Sequence, residues 1–329
     1  MPRRLHTTYM YYVPDTSHTK MQNQTHPPLI DPYNRRIKSL RISITQRCNL
    51  NCIYCHGEGE SGSPDTNAPA CEISAETIAA LVRAALAHGV RRIKFTGGEP
   101  LCRSDFAEIL QELPPLKDIS LTTNGTLLSE CAHDLAEAGL HRVNVSLDTL
   151  YPDRYRRITG HDMLNTVLDG ISAAVNAGLT PVKLNMVLLR GTNDDEIGEM
   201  IDFARKFGSG VVILQLIELM EFGESCERVD MDAIETALSL RASEIVTRSM
   251  HRRRKYLIDG AEVEVVRPID NSEFCANCNR LRVTSDGKLK GCLLSNHGLV
   301  DISSATEEEM HVLLEKAVAM RRPYYTPDL

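Results

Sequence analysis

One pattern returns four times in this chain and limits its architecture more than any other feature. A helical run of apolar residues ends at a glycine, a short turn follows, and a strand begins. The stretch Ser74 to His88 places Ile78, Leu81, Val82, Ala85 and Leu86 along one face, with Ser74 as N-cap, Ile73 and Ile78 as a hydrophobic staple, and Gly89 as terminator. The same order recurs at Gly139, at Gly178 and, more loosely, at Gly208. Helix, glycine, turn and strand in succession predict βα units and a parallel sheet.

The strands carry a second signal. Five and seven residues after each glycine stand Lys94 and Thr96, Asn144 and Ser146, Lys183 and Asn185, and Ile213 and Gln215. Side chains alternate along a strand, so each pair shares one face, while Ile93 and Phe95, Val143 and Val145, or Val212 and Leu214 share the other. Arg41, Ser43 and Thr45 repeat the pattern against Ile42 and Ile44, as do Ser120 and Thr122 against Ile119 and Leu121. Six strands thus have one polar face each. Either a two-layer sheet leaves that face in solvent, or a barrel encloses it as a wet lumen. Arg41, Lys94 and Lys183 on the polar face favour the barrel, because they make a positive chamber in a chain of net charge −7. That net charge gives no reason to expect nucleic acid or an anionic membrane as partner.

Two cysteine sets interrupt this framework. Cys48, Cys52 and Cys55 form CxxxCxxC directly after the strand Leu40 to Thr45. Three thiolates this close hold three irons of a cubane cluster and leave the fourth iron open; a zinc site completed by His56 is the other reading. Cys275, Cys278 and Cys292 form the second set, again three donors, with zinc completed by His297 as its alternative. Arg280 and Arg282 alternate between these cysteines on one face, where their forked donors suit phosphate or carboxylate. Six of the ten cysteines therefore have metal-type spacing, which points to a reducing compartment; Cys71, Cys102, Cys131 and Cys226 read as small buried or loop thiols. Gly97-Gly98-Glu99-Pro100 follows the second strand, and its glycines let backbone approach a ligand. Asn124-Gly125 after the third strand is a tight turn. Further on, a helix is expected over about 231–241 and a β-hairpin from Lys255 to Val266 across Asp259-Gly260. The run Arg252 to Lys255 reads as a solvated edge or local salt links.

These motifs resemble those of the radical S-adenosylmethionine (SAM) superfamily, where an aromatic, here Tyr54, precedes the third cysteine. More narrowly, Leu40 to Thr45, Phe95 to Pro100 and Cys275-x-x-Cys278-x-Arg280-x-Arg282 look like the GTP 3′,8-cyclase family, over roughly residues 29–323. The resemblance implies an α/β fold, a partial (β/α)6 TIM-type barrel with a C-terminal antiparallel β extension that carries a second Fe-S cluster. It implies two [4Fe-4S] clusters, with Tyr54, Gly98, Thr123 and Ser146 on SAM. GTP is expected on Arg41, Lys94, Lys183, Arg280 and Arg282, with Arg41 as the catalytic candidate; Glu99, Asp148 or Glu218 are the carboxylates offered to balance these cations. The implied reaction cleaves SAM to methionine and a 5′-deoxyadenosyl radical, which takes hydrogen from C3′ of GTP so that C3′ closes onto C8. The product, 3′,8-cyclo-7,8-dihydro-GTP, opens molybdenum cofactor synthesis. Implied partners are a ferredoxin- or flavodoxin-type donor, a second copy of the chain and the cyclic pyranopterin monophosphate synthase.

Residues 1–28 are expected to be a disordered extension, with Met21 a plausible initiator, followed by a barrel over 29–222 and a C-terminal domain over 223–329. No apolar run of about 18 residues or more occurs, so a cytoplasmic protein away from membranes is expected. Two departures from the resemblance stand out. Gln215 occupies a place where many members have arginine, and the chain ends in Pro323 to Leu329 rather than in Gly-Gly. A radical SAM peptide-modifying enzyme with an auxiliary cluster, or a non-catalytic Fe-S or zinc protein, are the competing readings.

Overall fold

The polar and apolar alternation of the first six strands decides which face of the sheet is covered. The computed structural model describes residues 26–57, 60, 72–220, 227–269 and 271–324. Most of the expected N-terminal extension, Met21, Cys71, Cys226 and the last five residues lie outside these. The first half runs β1 (Ser39–Ser43), α1 (Ala75–Ala87), β2 (Arg92–Thr96), α2 (Phe106–Gln111), β3 (Asp118–Thr123), α3 (Leu128–Glu137), β4 (Arg142–Ser146), α4 (Pro152–Thr159), α5 (Leu164–Asn176), β5 (Val182–Leu188), α6 (Ile197–Arg205) and β6 (Val212–Glu218). The second half adds α7 (Met231–Arg241), β7 (Glu244–Thr247), β8 (Arg254–Ile258), β9 (Ala261–Val266), α8 (Ser272–Ala276), β10 (Arg280–Val283), β11 (Lys288–Lys290), β12 (Val300–Asp301) and α9 (Glu307–Ala319).

Strands β1 to β6 lie side by side, all parallel, in chain order. Their register puts like with like. Arg41 faces Lys94, Thr122 faces Asn144, Asn144 faces Lys183, and Asn185 faces Gln215. On the opposite side Ile42, Ile93, Leu121, Val143, Leu184 and Leu214 are buried in one continuous core. Each such side chain contributes about 1.5–3 kcal/mol relative to exposure, so slipping a strand by one residue would exchange that set for cations. The helices begin and end as the sequence predicts. Ser74 Oγ accepts from the Thr77 N–H at the start of α1, and Gly89, at φ +88°, takes the left-handed conformation just past its end.

The C-terminal extension departs from a simple antiparallel appendage. Its hairpins β7/β8, β8/β9, β10/β11 and β11/β12 are antiparallel, yet β9 joins β6 and β10 joins β1 in parallel. The result is a single twelve-stranded sheet with the C-terminal half added at both edges. The two ends meet again near α8: the His251 ring, between β7 and β8, stacks on Phe274 at 3.7 Å, and the His251 N–H donates to the Asn277 carbonyl. This contact ties the β7–β8 connection to the segment ahead of β10. No described helix is long and apolar enough to cross a membrane.

Candidate active site

The loop after β1 is pinned on three sides. The Asn51 and Ile53 N–H groups donate to the carbonyls of Thr159 and Ile158 at the end of α4. The Gly98 and Glu99 N–H groups donate to Thr45 and Arg47. A Cβ on Gly98 would stand 2.4 Å from the Arg47 carbonyl, and one on Gly97 2.4 Å from that of Thr45. The paired glycines therefore serve the packing of this loop against the cysteine loop, rather than a direct approach to a ligand on that side. Asn124 braces the third side: its amide donates to Asn49 Oδ1 at 2.7 Å and lies 4.0 Å from Cys48 Sγ.

Behind this loop sit two buried acids. Glu99 accepts from the Leu101 and Asn124 N–H groups and from the Thr123 hydroxyl; burial pushes its carboxyl up to about 7, with those donors working the other way. Asp148 accepts from the Tyr54 hydroxyl at 2.6 Å and from the Val187 N–H, and burial raises it to about 6. Thr123 and Tyr54 thus spend their hydroxyls on positioning acids. Burial also lifts the Cys48 thiol to about 11 and the Cys52 thiol further, with Asp148 adding to the effect at Cys52. A cation converts such thiols into ligands. Among the described residues, neither cysteine trio has its sulfurs gathered within 4.8 Å of one another. One zinc ion holds its sulfurs about 3.8 Å apart, whereas a cube binds each to a different iron. Three thiolates in each set are the donor complement of a cube with one iron left open.

The second trio is held from behind. Cys275 lies in α8, whose N-cap Asn271 accepts from the Phe274 N–H. Arg35 donates to the Cys275 carbonyl at 3.0 Å, and Arg321 to the Cys278 carbonyl at 3.3 Å. Both guanidinium groups converge on Asp31 Oδ2, at 2.6 and 2.5 Å. One buried carboxylate therefore sets two arginines, and the arginines set the cysteine backbone.

Between the two loops lies a cavity of about 930 Å³. Tyr54 and His56 line one part of it, and Cys275, Cys278 and Cys292 another. Arg41, Lys94, Lys183, Arg280 and Arg282 all reach it, as the polar-face reading expects; Ser146 does too, whereas Gly98, Thr123 and the sulfur-bearing residues Cys48, Cys52 and Cys55 are not among its lining residues. Lys94 Nζ donates to Asn144 Oδ1 at 2.7 Å, and burial, then Arg142, Arg41 and Arg280, hold it well below its usual value. Arg280 is pushed down to about 9 by burial and by Arg282 and Arg41. These cations are crowded, and an anion relieves them.

The carboxylate that pairs with Lys183 is none of the three the sequence offered. Glu99 and Asp148 are engaged in the cysteine-loop wall; Lys183 Nζ instead pairs with Glu264 at 2.9 Å. Arg248 and Arg253 reach the same carboxylate, and Gln215 Nε2 donates to it at 2.5 Å. Sequence reasoning missed Arg248 and Arg253 as cavity groups and Glu264 as the buried counter-charge behind them. The alternation Glu262-x-Glu264 was the available signal, but its meaning depends on β9 joining β6, where Glu264 stands opposite Gln215. Burial opposes the charge on Glu264, and Lys183, Arg253 and Arg248 more than offset it, holding the carboxyl at about 2. A depressed acid stabilises the fold above its ordinary value of 4.5, and the effect fades as pH falls towards 2. Glu264→Gln is expected to cost about 3–5 kcal/mol at neutral pH, because three cations lose a buried counter-charge. Urea denaturation measures this, and an unchanged midpoint would contradict it.

The family described as Radical SAM superfamily matches residues 42–204, and that described as Molybdenum Cofactor Synthesis C matches residues 212–327. A probable GTP 3′,8-cyclase of Methanosarcina mazei is 55% identical over 307 residues, 91% of this chain and 90% of the relative. The probable GTP 3′,8-cyclase of Archaeoglobus fulgidus is 46% identical over 300 residues, 90% of this chain and 99% of the relative. Among solved structures, Streptococcus suis SuiB bound to S-adenosylmethionine superposes with a TM-score of 0.59 at 17% identity, over 85% of this chain and 65% of that one. Native anSMEcpe with bound AdoMet gives 0.51 at 18% identity, over 83% and 79%. At these identities the structural likeness speaks for the fold alone.

Proposed function

The chain belongs to the GTP 3′,8-cyclase family within the radical SAM superfamily, and from this we infer that it converts GTP to 3′,8-cyclo-7,8-dihydro-GTP, the first step of molybdenum cofactor synthesis. The observation that carries the reading is the shared cavity: Tyr54 and His56, beside the first cysteine set, and Cys275, Cys278 and Cys292 of the second border one cation-lined space. About 930 Å³ is near the top of the range for small-molecule sites, in keeping with two ligands side by side. When bound at Cys48, Cys52 and Cys55, a [4Fe-4S] cluster supplies the electron that cleaves SAM to methionine and a 5′-deoxyadenosyl radical.

The protein's own groups bind, orient and shield. On the SAM side Tyr54 and Ser146 shape the wall, while Thr123 and Gly98 act through Glu99 and the loop backbone. Cys275, Cys278 and Cys292 would hold the second [4Fe-4S] cluster, on the substrate side. Arg41, Lys94 and Lys183 take the triphosphate, Arg41 being nearest in role to catalysis, and Arg280 and Arg282 line the guanosine end. Arg248 and Arg253, which meet Glu264 beside Gln215, supply the guanidinium charge that the glutamine lacks. A ferredoxin- or flavodoxin-type donor, a homodimer, and hand-over to the cyclic pyranopterin monophosphate synthase complete the proposal.

The test is anaerobic. Reconstituted protein with GTP, SAM and reductant should yield 5′-deoxyadenosine and a cyclised nucleotide together. SAM cleavage with GTP left intact would favour the peptide modifier, and no cleavage at all would favour a binding protein.

A further inference from the structure

Away from the cavity, three histidines from distant parts of the chain converge. His26 lies ahead of β1, His88 caps the C-terminus of α1, and His311 lies in α9. Their ligating nitrogens all fall within 4.8 Å of one another, the one such group of His, Cys, Asp or Glu among the described residues. The rings of His26 and His311 stack at 3.8 Å.

His88 gives the group its direction. Its Nδ1 stands 2.7 Å from the Pro27 carbonyl oxygen, which only accepts, so the proton sits on Nδ1 and the lone pair on Nε2. A backbone carbonyl that fixes the tautomer in this way is the usual support of a metal-binding histidine. Nε2 then faces His311 Nδ1 at 3.1 Å. Two imidazole nitrogens on one tetrahedral ion stand about 3.3 Å apart, so this pair already has close to the spacing of a ligand edge. His88 is fully buried while His26 and His311 are half-buried, which leaves the group open to water on one side. Glu307 and Glu315 place negative charge near His311.

We propose that His26, His88 and His311 form a binding site for a divalent transition metal, zinc being the class best suited to three imidazoles and a water. Binding replaces the His88–His311 hydrogen bond and tilts His26 out of its stack. The ion ties the segment ahead of β1 to α1 and α9. Helix α9 leads directly into Arg321, which holds the Cys278 carbonyl, so the site anchors the strap behind the second cysteine trio. Cation binding to the folded state alone raises stability by mass action.

The test uses untagged protein with both clusters reconstituted, given one equivalent of zinc, desalted, and examined by metal analysis and zinc K-edge absorption. The expected result is about one retained zinc per chain, with nitrogen or oxygen neighbours at about 2.0–2.1 Å, imidazole scattering and no sulfur at about 2.3 Å. His311→Ala should weaken retention about tenfold or more, while His133→Ala, on the exposed face of α3, leaves it unchanged. Should His311→Ala fail to fold, His26→Asn carries the same test on a segment outside the sheet. A sulfur shell, equal retention in the histidine variants, or no retained zinc would each overturn the proposal and leave a hydrogen-bonded histidine stack.

Discussion

Cys278→Ala is expected to keep SAM cleavage and lose GTP cyclisation. The two cysteine trios lie on different segments, and the backbone around Cys278 is held independently of its sulfur, by Arg321 at its carbonyl and by its own N–H to Cys275. Removing the thiol therefore removes a ligand and not the loop. The first trio rests on α4, the Gly97-Gly98 loop and Asn124, and the hydrogen bonds that hold it, among the described residues, do not involve Cys278. Iron should fall from about eight to about four per chain, because each cubane carries four. Cyclisation should drop by about 10²-fold or more, the scale of losing substrate alignment at a reacting centre. Slow, uncoupled formation of 5′-deoxyadenosine should persist. Full cyclase activity in this variant would remove the substrate-side role given to the second trio.

Asp31→Asn is expected to be nearly as damaging, although residue 31 reaches neither cysteine set directly. Its carboxylate is fully buried, between Arg35 and Arg321, whose side chains are 7% and 3% exposed. It also accepts from the Tyr33 and Arg35 N–H groups. The asparagine preserves shape and removes charge, leaving two buried guanidinium groups facing one neutral amide. Breaking a buried pair in this way costs about 3–5 kcal/mol. Because the same arginines hold the Cys275 and Cys278 carbonyls, iron should leave the second site faster when challenged with a chelator. An unchanged denaturation midpoint together with unchanged iron loss would contradict this account.

Much of the framework was legible in local pattern. Gly89, Gly139, Gly178 and Gly208 all take positive φ, at 88°, 102°, 77° and 95°, each between a helix and the next strand. Each of the six polar faces read from alternation contributes to one cavity, through Arg41, Lys94, Thr122, Asn144, Lys183 and Gln215, because a period of two is a property of the strand itself. Helix α7, the β8/β9 hairpin and the β10 alternation also follow from short-range signals; the run Arg252 to Lys255 makes salt links to Glu273, Glu264, Glu235 and Glu262, but its Arg253 and Lys255 line the cavity instead of a solvated edge. Pairing between remote edges was not legible. Alternation tells which side of a strand is polar but not that β9 would lie beside β6, so Glu264 was not seen as the partner of Lys183. Asp31 and Arg321 are separated by almost the whole chain, and no local pattern links them. The Gly97-Gly98 pair was legible as a close approach, but the side facing the cysteine loop was not.

The central claim is that this cavity brings a SAM-derived radical to C3′ of GTP, and the most direct measurement follows one hydrogen. Protein with both clusters is incubated anaerobically with SAM, reductant and GTP deuterated at C3′, and the 5′-deoxyadenosine is weighed by mass spectrometry. The account predicts that deuterium appears in 5′-deoxyadenosine in step with the cyclised nucleotide. Unlabelled 5′-deoxyadenosine accompanying cyclised product would contradict it.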